Sequence, residues 1–213
     1  MSLINFPSPP NLPLSPLQFD SRYQEGLNNV FRLYFNRISG TFQSVLGPDG
    51  GQYINNPFGA FISTQDQTAA NTTTAYAITL NTTTASNGVS VVSSSQVTMA
   101  YSGYYNIQFS IQLSNSTNAP QDIDIWFRKN GSDIANSNSR FGLAARKSVG
   151  DPFHLIGTVN LVEAFNGGDY VELYWPTSDV GAYIEHYAAS TTPTRPVIPS
   201  VILTATFVSS ITA

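Results

Sequence analysis

From Asp122 to Ile134 the chain reads DIDIWFRKNGSDI. Ile123, Ile125 and Phe127 alternate with Asp122, Asp124, Trp126 and Arg128, the period-two pattern of a strand with one face in a core. Asn130-Gly131 follows, two residues that tolerate positive φ, and predicts a tight two-residue hairpin turn. Similar segments recur downstream of about residue 60. Ala75 to Asn81, Tyr105 to Leu113 and Ala182 to Ala188 alternate, Val89 to Val92 is a short apolar run, and Phe153 to Val162 and Tyr170 to Trp175 are further strand segments. Ser102-Gly103 divides Gln96 to Leu113 into two strands. Phe165 to Asp169 (FNGGD) is expected to close a hairpin, with Asp169 and Glu172 facing solvent. Val201 to Val208 is expected to end the chain as a buried strand. Eight or more short strands with no helical pattern between them predict an antiparallel sandwich or jelly roll.

The periodicity upstream is different. Ser21 to about Leu46 is the one segment with helical spacing, capped by Asp20 or Ser21 and stopped by Gly47-Pro48. Leu27, Phe31, Tyr34, Ile38 and Val45 fit a heptad seam, with Thr41 in the same register. Val30, Leu33, Phe35 and Phe42 widen the apolar stripe beyond a two-stranded seam. A lone exposed helix cannot bury such a stripe, so packing on a large partner or in a bundle of copies is expected. Gly26 and Gly40 weaken the helix, and a break at Gly40 is an alternative. Before it, prolines at 7, 9, 10, 13 and 16 dictate an extended arm. Phe6, Leu12, Leu14, Leu17 and Phe19 make that arm a candidate peptide for a groove on another protein; folding back on its own chain is the alternative. Three segments result: an arm at 1–19, helix and linker at 20–57, and a β domain at 58–213.

Composition narrows the function. Charged residues are 10% of the 213, against about 25% in an ordinary soluble protein. Ser, Thr, Asn, Gln and Gly take their place, which suits a chain that packs against copies of itself. A net charge of -4 and scattered basic residues argue against nucleic acid and anionic membranes. With no cysteine, disulfides, thiolate catalysis and cysteine metal sites are excluded. MSLINFPSPP has no basic region before a long apolar run, so no Sec-type signal peptide is expected. The Asn71, Asn81, Asn115 and Asn130 sequons are expected by chance in so Thr- and Ser-rich a chain.

Four pieces, SGYYNIQFSIQL, IDIWFRKNGSDI, FNGGDYVELYW and PSVILTATFV, in that order, resemble the C1q/tumour-necrosis-factor type of jelly roll in the divergent form of phage structural proteins. They lie within residues 58–213. The arm and helix resemble attachment segments that precede such domains in marine tailed-phage (cyanophage-type) virion proteins. The resemblance implies a homotrimer with aromatic residues of one sheet meeting near the axis, for which Tyr101, Tyr104, Tyr105, Tyr170, Tyr174, Tyr183 and Tyr187 are candidates. It implies a non-enzymatic virion protein, assembled in the host cytoplasm. A capsid decoration, cement or head-fibre protein would contact the major capsid protein or another virion protein. The alternative is a tail-fibre or receptor-binding module for a host glycan or protein, with 137–151 and 65–74 as candidate loops.

Catalytic chemistry finds no foothold in the spacing. His154 and His186 sit in strand-like contexts without a metal motif, and a structural role is expected for both. No spacing selects a glycosidase pair from Glu163, Asp169, Glu172, Asp179 and Glu185. Asp122, Asp124 and Asp133 fall short of a calcium cage. No cofactor, metal or catalytic residue is expected.

Overall fold

The computed structural model describes residues 7–12, 14, 16–46 and 56–211. Two compact units, Met1–Asn56 and Pro57–Ala213, make up the chain. In the first, α1 (Ser21–Leu46) runs unbroken through Gly40. Asp20 caps it: its Oδ1 accepts the Arg22 N–H at 2.8 Å and its carbonyl accepts the Gln24 N–H at 3.1 Å, satisfying two donors that a helix start leaves orphaned. Ser8, Pro9 and Pro10 of the arm line a cleft of about 290 Å³ with Val30, Leu33, Tyr34 and Arg37. That stretch of arm therefore lies against its own helix, the fold-back alternative for these residues. Leu12, Leu14, Leu17 and Phe19 remain exposed.

The second unit is all β. Its strands are β1 (Phe58–Ser63), β2 (Tyr76–Ala77), β3 (Thr82–Asn87), β4 (Val89–Val92), β5 (Gln96–Met99), β6 (Gly103–Asn115), β7 (Gln121–Lys129) and β8 (Ser132–Asp133). There follow β9 (Ser139–Leu143), β10 (Phe153–Phe165), β11 (Tyr170–Trp175), β12 (Ala182–Ile184), β13 (Ser190–Thr191), β14 (Thr194–Arg195) and β15 (Val201–Ser209). One sheet has the order β10-β6-β15-β1-β3, with β12 also on β6; the other runs β4-β5-β11-β7-β8, with β2 on β11 and β9 on β7. From β5 to β12 the chain passes back and forth between the sheets, with β7, β8 and β9 staying together in one of them, so β5 and β6, β6 and β7, β9 and β10, β10 and β11, and β11 and β12 lie in opposite sheets, the jelly-roll arrangement.

The alternation read from the sequence sets which side chains fill the space between the sheets. Ile107, Phe109, Ile111 and Leu113 of β6 meet Ile123, Ile125 and Phe127 of β7, all fully buried. Phe109 and Phe127 touch across the gap with ring centroids 5.6 Å apart. Gly157 on β10 has no side chain because the Phe141 ring occupies that space; a Cβ there would lie 3.0 Å from it. Asn130 (φ 49) and Gly131 (φ 81) form the expected two-residue turn, pairing Lys129 with Ser132 and Arg128 with Asp133.

Three expectations change here. The Phe165–Asp169 turn does form, closed by the Asp169 N–H to the Asn166 carbonyl at 3.0 Å. It is not a hairpin: β10 pairs with β6, and β11 pairs with β5 and β7. The turn carries the chain from one sheet to the other. Glu172 does not face solvent either; it is 6% exposed, and its Oε1 accepts the Ser95 hydroxyl at 2.6 Å. The last strand is buried on one face only, with Ile202 and Val208 outward and exposed.

Asp169 locks the crossover turn. Its carboxylate accepts the Asn166 N–H and the Asn130 amide, each at 2.8 Å, and lies 3.8 Å from Lys129 Nζ. The Asn166 bond, foremost, and then Asn130 hold its pKa below the ordinary carboxylate value, with Lys129 adding to them against partial desolvation. A depressed folded-state pKa adds stability above the ordinary value of about 4, and that stability drains away as pH falls through the folded value. Asp169→Asn is therefore expected to lower the melting temperature at about pH 7 and to match the wild type near about pH 2. Thermal melts across that range check it; an equal deficit at both ends would show that charge is not what Asp169 supplies.

Candidate functional site

The two sheets turn very different outer faces to their surroundings. Along β6 the outward residues are Tyr104, Asn106, Gln108, Ser110 and Gln112, while Ser114, next on that side, is fully buried. Beside them β10 sets His154, Ile156, Thr158, Asn160 and Val162, each directly opposite a β6 partner. On the other side β15 sets Ile202, Thr204 and Thr206 opposite Ser110, Gln108 and Asn106. Across β1, β3, β6, β10 and β15, Glu163 is the only Asp, Glu, Lys or Arg. It lies 3.6 Å from Lys129 Nζ. The result is a broad, polar, uncharged surface that also carries Tyr104, Ile156, Val162 and Ile202, all at least 40% exposed.

One end of this face carries its titratable groups. The Tyr187 hydroxyl donates to Glu185 Oε2 at 2.6 Å and lies 2.7 Å from His154 Nδ1. Tyr183 sits opposite Ser114 at the same end. Burial, and then the hydrogen bond and charge of Glu185, push the Tyr187 pKa far up, so its proton stays in the network. His186 contributes its backbone N–H to Asp66 Oδ1 at 2.7 Å.

The seven tyrosines expected at a common interface do not share one face. Tyr104, Tyr183 and Tyr187 lie on or at the end of the uncharged face. Tyr170 and Tyr174 of β11 lie on the outside of the opposite sheet, since Val171 and Leu173 between them are buried. Tyr101, in the turn before β6, is exposed. Tyr105 is corrected outright: it is 0% exposed within its own subunit. Its ring meets Phe165 and Phe207 edge-on, and its hydroxyl donates to the Tyr101 carbonyl at 2.8 Å. Tyr105 and Tyr104 are neighbours on one strand, so only one of them can point outward.

In the first unit, Leu27, Tyr34 and Ile38 of the expected seam are half-buried, and Phe31 is 37% exposed. Leu33, Phe35 and Phe42 are more exposed still. Phe31 and Phe35 stack with centroids 6.4 Å apart. Phe6 and the Val45 side chain lie outside the described residues. Among the described residues, no group of three or more His, Asp or Glu is arranged to hold a metal ion. Of the aspartates considered for calcium, Asp124 is taken by Arg140 and Asp133 by Trp126 and Arg128. Among the described residues no helix is long and apolar enough to cross a membrane.

No protein-family model and no curated protein matches this sequence. Among solved structures, the chain is similar to the globular domain of zebrafish complement 1qA protein. The TM-score is 0.45 at 11% identity, covering 74% of this chain and 100% of that one. By its own sheets the second unit is a mainly β antiparallel sandwich.

Proposed function

We propose that this chain is a non-enzymatic structural protein of a tailed-phage virion. Three copies associate through the uncharged β10-β6-β15-β1-β3 face, and the arm and helix attach the trimer to the capsid as a decoration, cement or head-fibre protein. The observation that carries the reading is that face. Burying charge in an interface is costly unless each charge is paired, and the centres of interfaces are depleted of charge and enriched in aromatic residues. A sheet of this width with one charged side chain meets that requirement. The exposed apolar residues of the arm, Leu12, Leu14, Leu17 and Phe19, and of the helix, Phe31, Leu33, Phe35 and Phe42, support an attachment role. The virion setting rests on the resemblance of the arm, helix and jelly roll to phage structural proteins.

Deleting residues 1–19 is expected to abolish attachment to virions while leaving a folded trimer. Co-sedimentation with purified particles and light scattering of the free protein check the two halves. Retained attachment would remove the docking role of the arm. Copy number per particle, measured against the major capsid protein, is expected in the hundreds; absence from particles would overturn the virion assignment.

A further inference from the structure

The other outer face is built for a different partner. Trp126 on β7 and Tyr174 on β11 sit directly opposite each other, with ring centroids 6.2 Å apart and planes inclined by 36°. Both are half-buried, so each ring is seated yet reachable. The Trp126 indole N–H donates to Asp133 Oδ1 at 2.8 Å, which fixes the ring's orientation. Arg128 lies 3.0 Å from that same oxygen, and its guanidinium covers part of Tyr174 at 4.4 Å from the ring centroid. Two residues before Trp126, Asp124 accepts two bonds from Arg140, at 2.9 and 3.0 Å. The aromatic pair is thus flanked on both sides by a carboxylate–guanidinium pair. Asp133 and Arg140 keep 65% and 67% of their side chains exposed, so each pair has acceptors and donors to spare.

We propose that this platform binds a neutral saccharide, with the C–H face of a pyranose ring on Trp126 and its hydroxyls bridging to the Asp124–Arg140 and Asp133–Arg128 pairs. An aromatic ring offers apolar area at low cost in conformational freedom. A carboxylate beside a guanidinium offers an acceptor and donors side by side, the complement of adjacent hydroxyls. The charges of the four flanking residues cancel, so the platform has no field to select an anionic ligand, and an oligonucleotide would find no unpaired basic groups. Another copy of this chain would have to bury four charges here, whereas the opposite sheet offers a face without that cost.

The test is ligand-observed saturation-transfer NMR on the full chain with glucose, galactose, mannose and N-acetylglucosamine. At least one of these is expected to bind with a dissociation constant of about 1 mM, as a shallow, open contact allows. Trp126→Ala is expected to weaken binding at least tenfold and Arg140→Ala several-fold. Trp175, the second of the two tryptophans and 1% exposed, reports by its fluorescence that each variant is folded. No transfer to any of the four sugars, or unaltered binding by folded Trp126→Ala, overturns the proposal. If Trp126→Ala does not fold, Arg140→Ala decides, and unchanged affinity overturns it. Oligomeric state plays no part in this readout, so a monomer that binds sugar would sink the trimer and leave the platform standing.

Discussion

Ile125→Asp is expected to leave no folded jelly roll. Ile125 is 0% exposed, in the middle of β7, with β9 pairing to it through Ser139. Its neighbours on the same face, Ile123 and Phe127, are equally buried and apolar. A carboxylate placed there loses the burial of an Ile side chain, about 1.5–3 kcal/mol. It must also either stay charged without a partner or take up a proton, at a cost of several kcal/mol more. Set against a total stability of about 5–15 kcal/mol for a domain, that removes most or all of the margin. The variant should accumulate as insoluble protein or lack near-ultraviolet circular dichroism. Ser90→Asp adds the same charge at an exposed position on edge strand β4 and should stay soluble and folded. A soluble, folded Ile125→Asp protein would mean that the face of β7 is assigned the wrong way round.

That strand face was legible in the sequence because alternation is a local signal. The same holds for α1, whose cap, apolar spacing and length are local, and for the Asn130-Gly131 turn. Strands β1, β3, β9, β13 and β14 went unread in the sequence, two of them for an evident physical reason. Thr82–Asn87 is exposed at nearly every position of an edge strand, so it has no apolar periodicity to read, and Ser139–Leu143 is short. The turn at Phe165–Asp169 was readable as a turn, but which strands it joins depends on pairing across the whole domain. Glu172 is buried because Ser95, 77 residues away, meets it; no window along the chain contains both. Splitting Tyr104 from Tyr105 needed only the period-two rule. Separating Tyr170 and Tyr174 from Tyr183 and Tyr187 needed the sheet order. Trp126 could be placed opposite the core, but its pairing with Tyr174 comes only from the β7–β11 register. A candidate surface composed across strands is therefore visible only once the strands are in place.

Gln108→Lys is expected to dissociate the proposed trimer while leaving each subunit folded. Gln108 lies at the middle of the uncharged face, between Asn160 of β10 and Thr204 of β15, and its side chain is exposed in the single subunit. An exposed substitution of this kind usually changes subunit stability by less than about 0.5 kcal/mol. In a threefold assembly one substitution brings three like charges together. At a separation of about 8 Å and an effective dielectric of about 20, each pair repels by about 2 kcal/mol, so the three pairs oppose assembly by about 6 kcal/mol. Each 1.4 kcal/mol is tenfold in an equilibrium constant, so the trimer should weaken by about four decades. Sedimentation velocity should show a trimer for the wild type and a monomer for Gln108→Lys at the same concentration, with unchanged melting of the monomer's β structure. Thr98→Lys, the equivalent change on the opposite sheet, should remain trimeric. If both variants stay trimeric, the uncharged face is not where the copies meet; if the wild type is itself monomeric, its lack of charge has another cause.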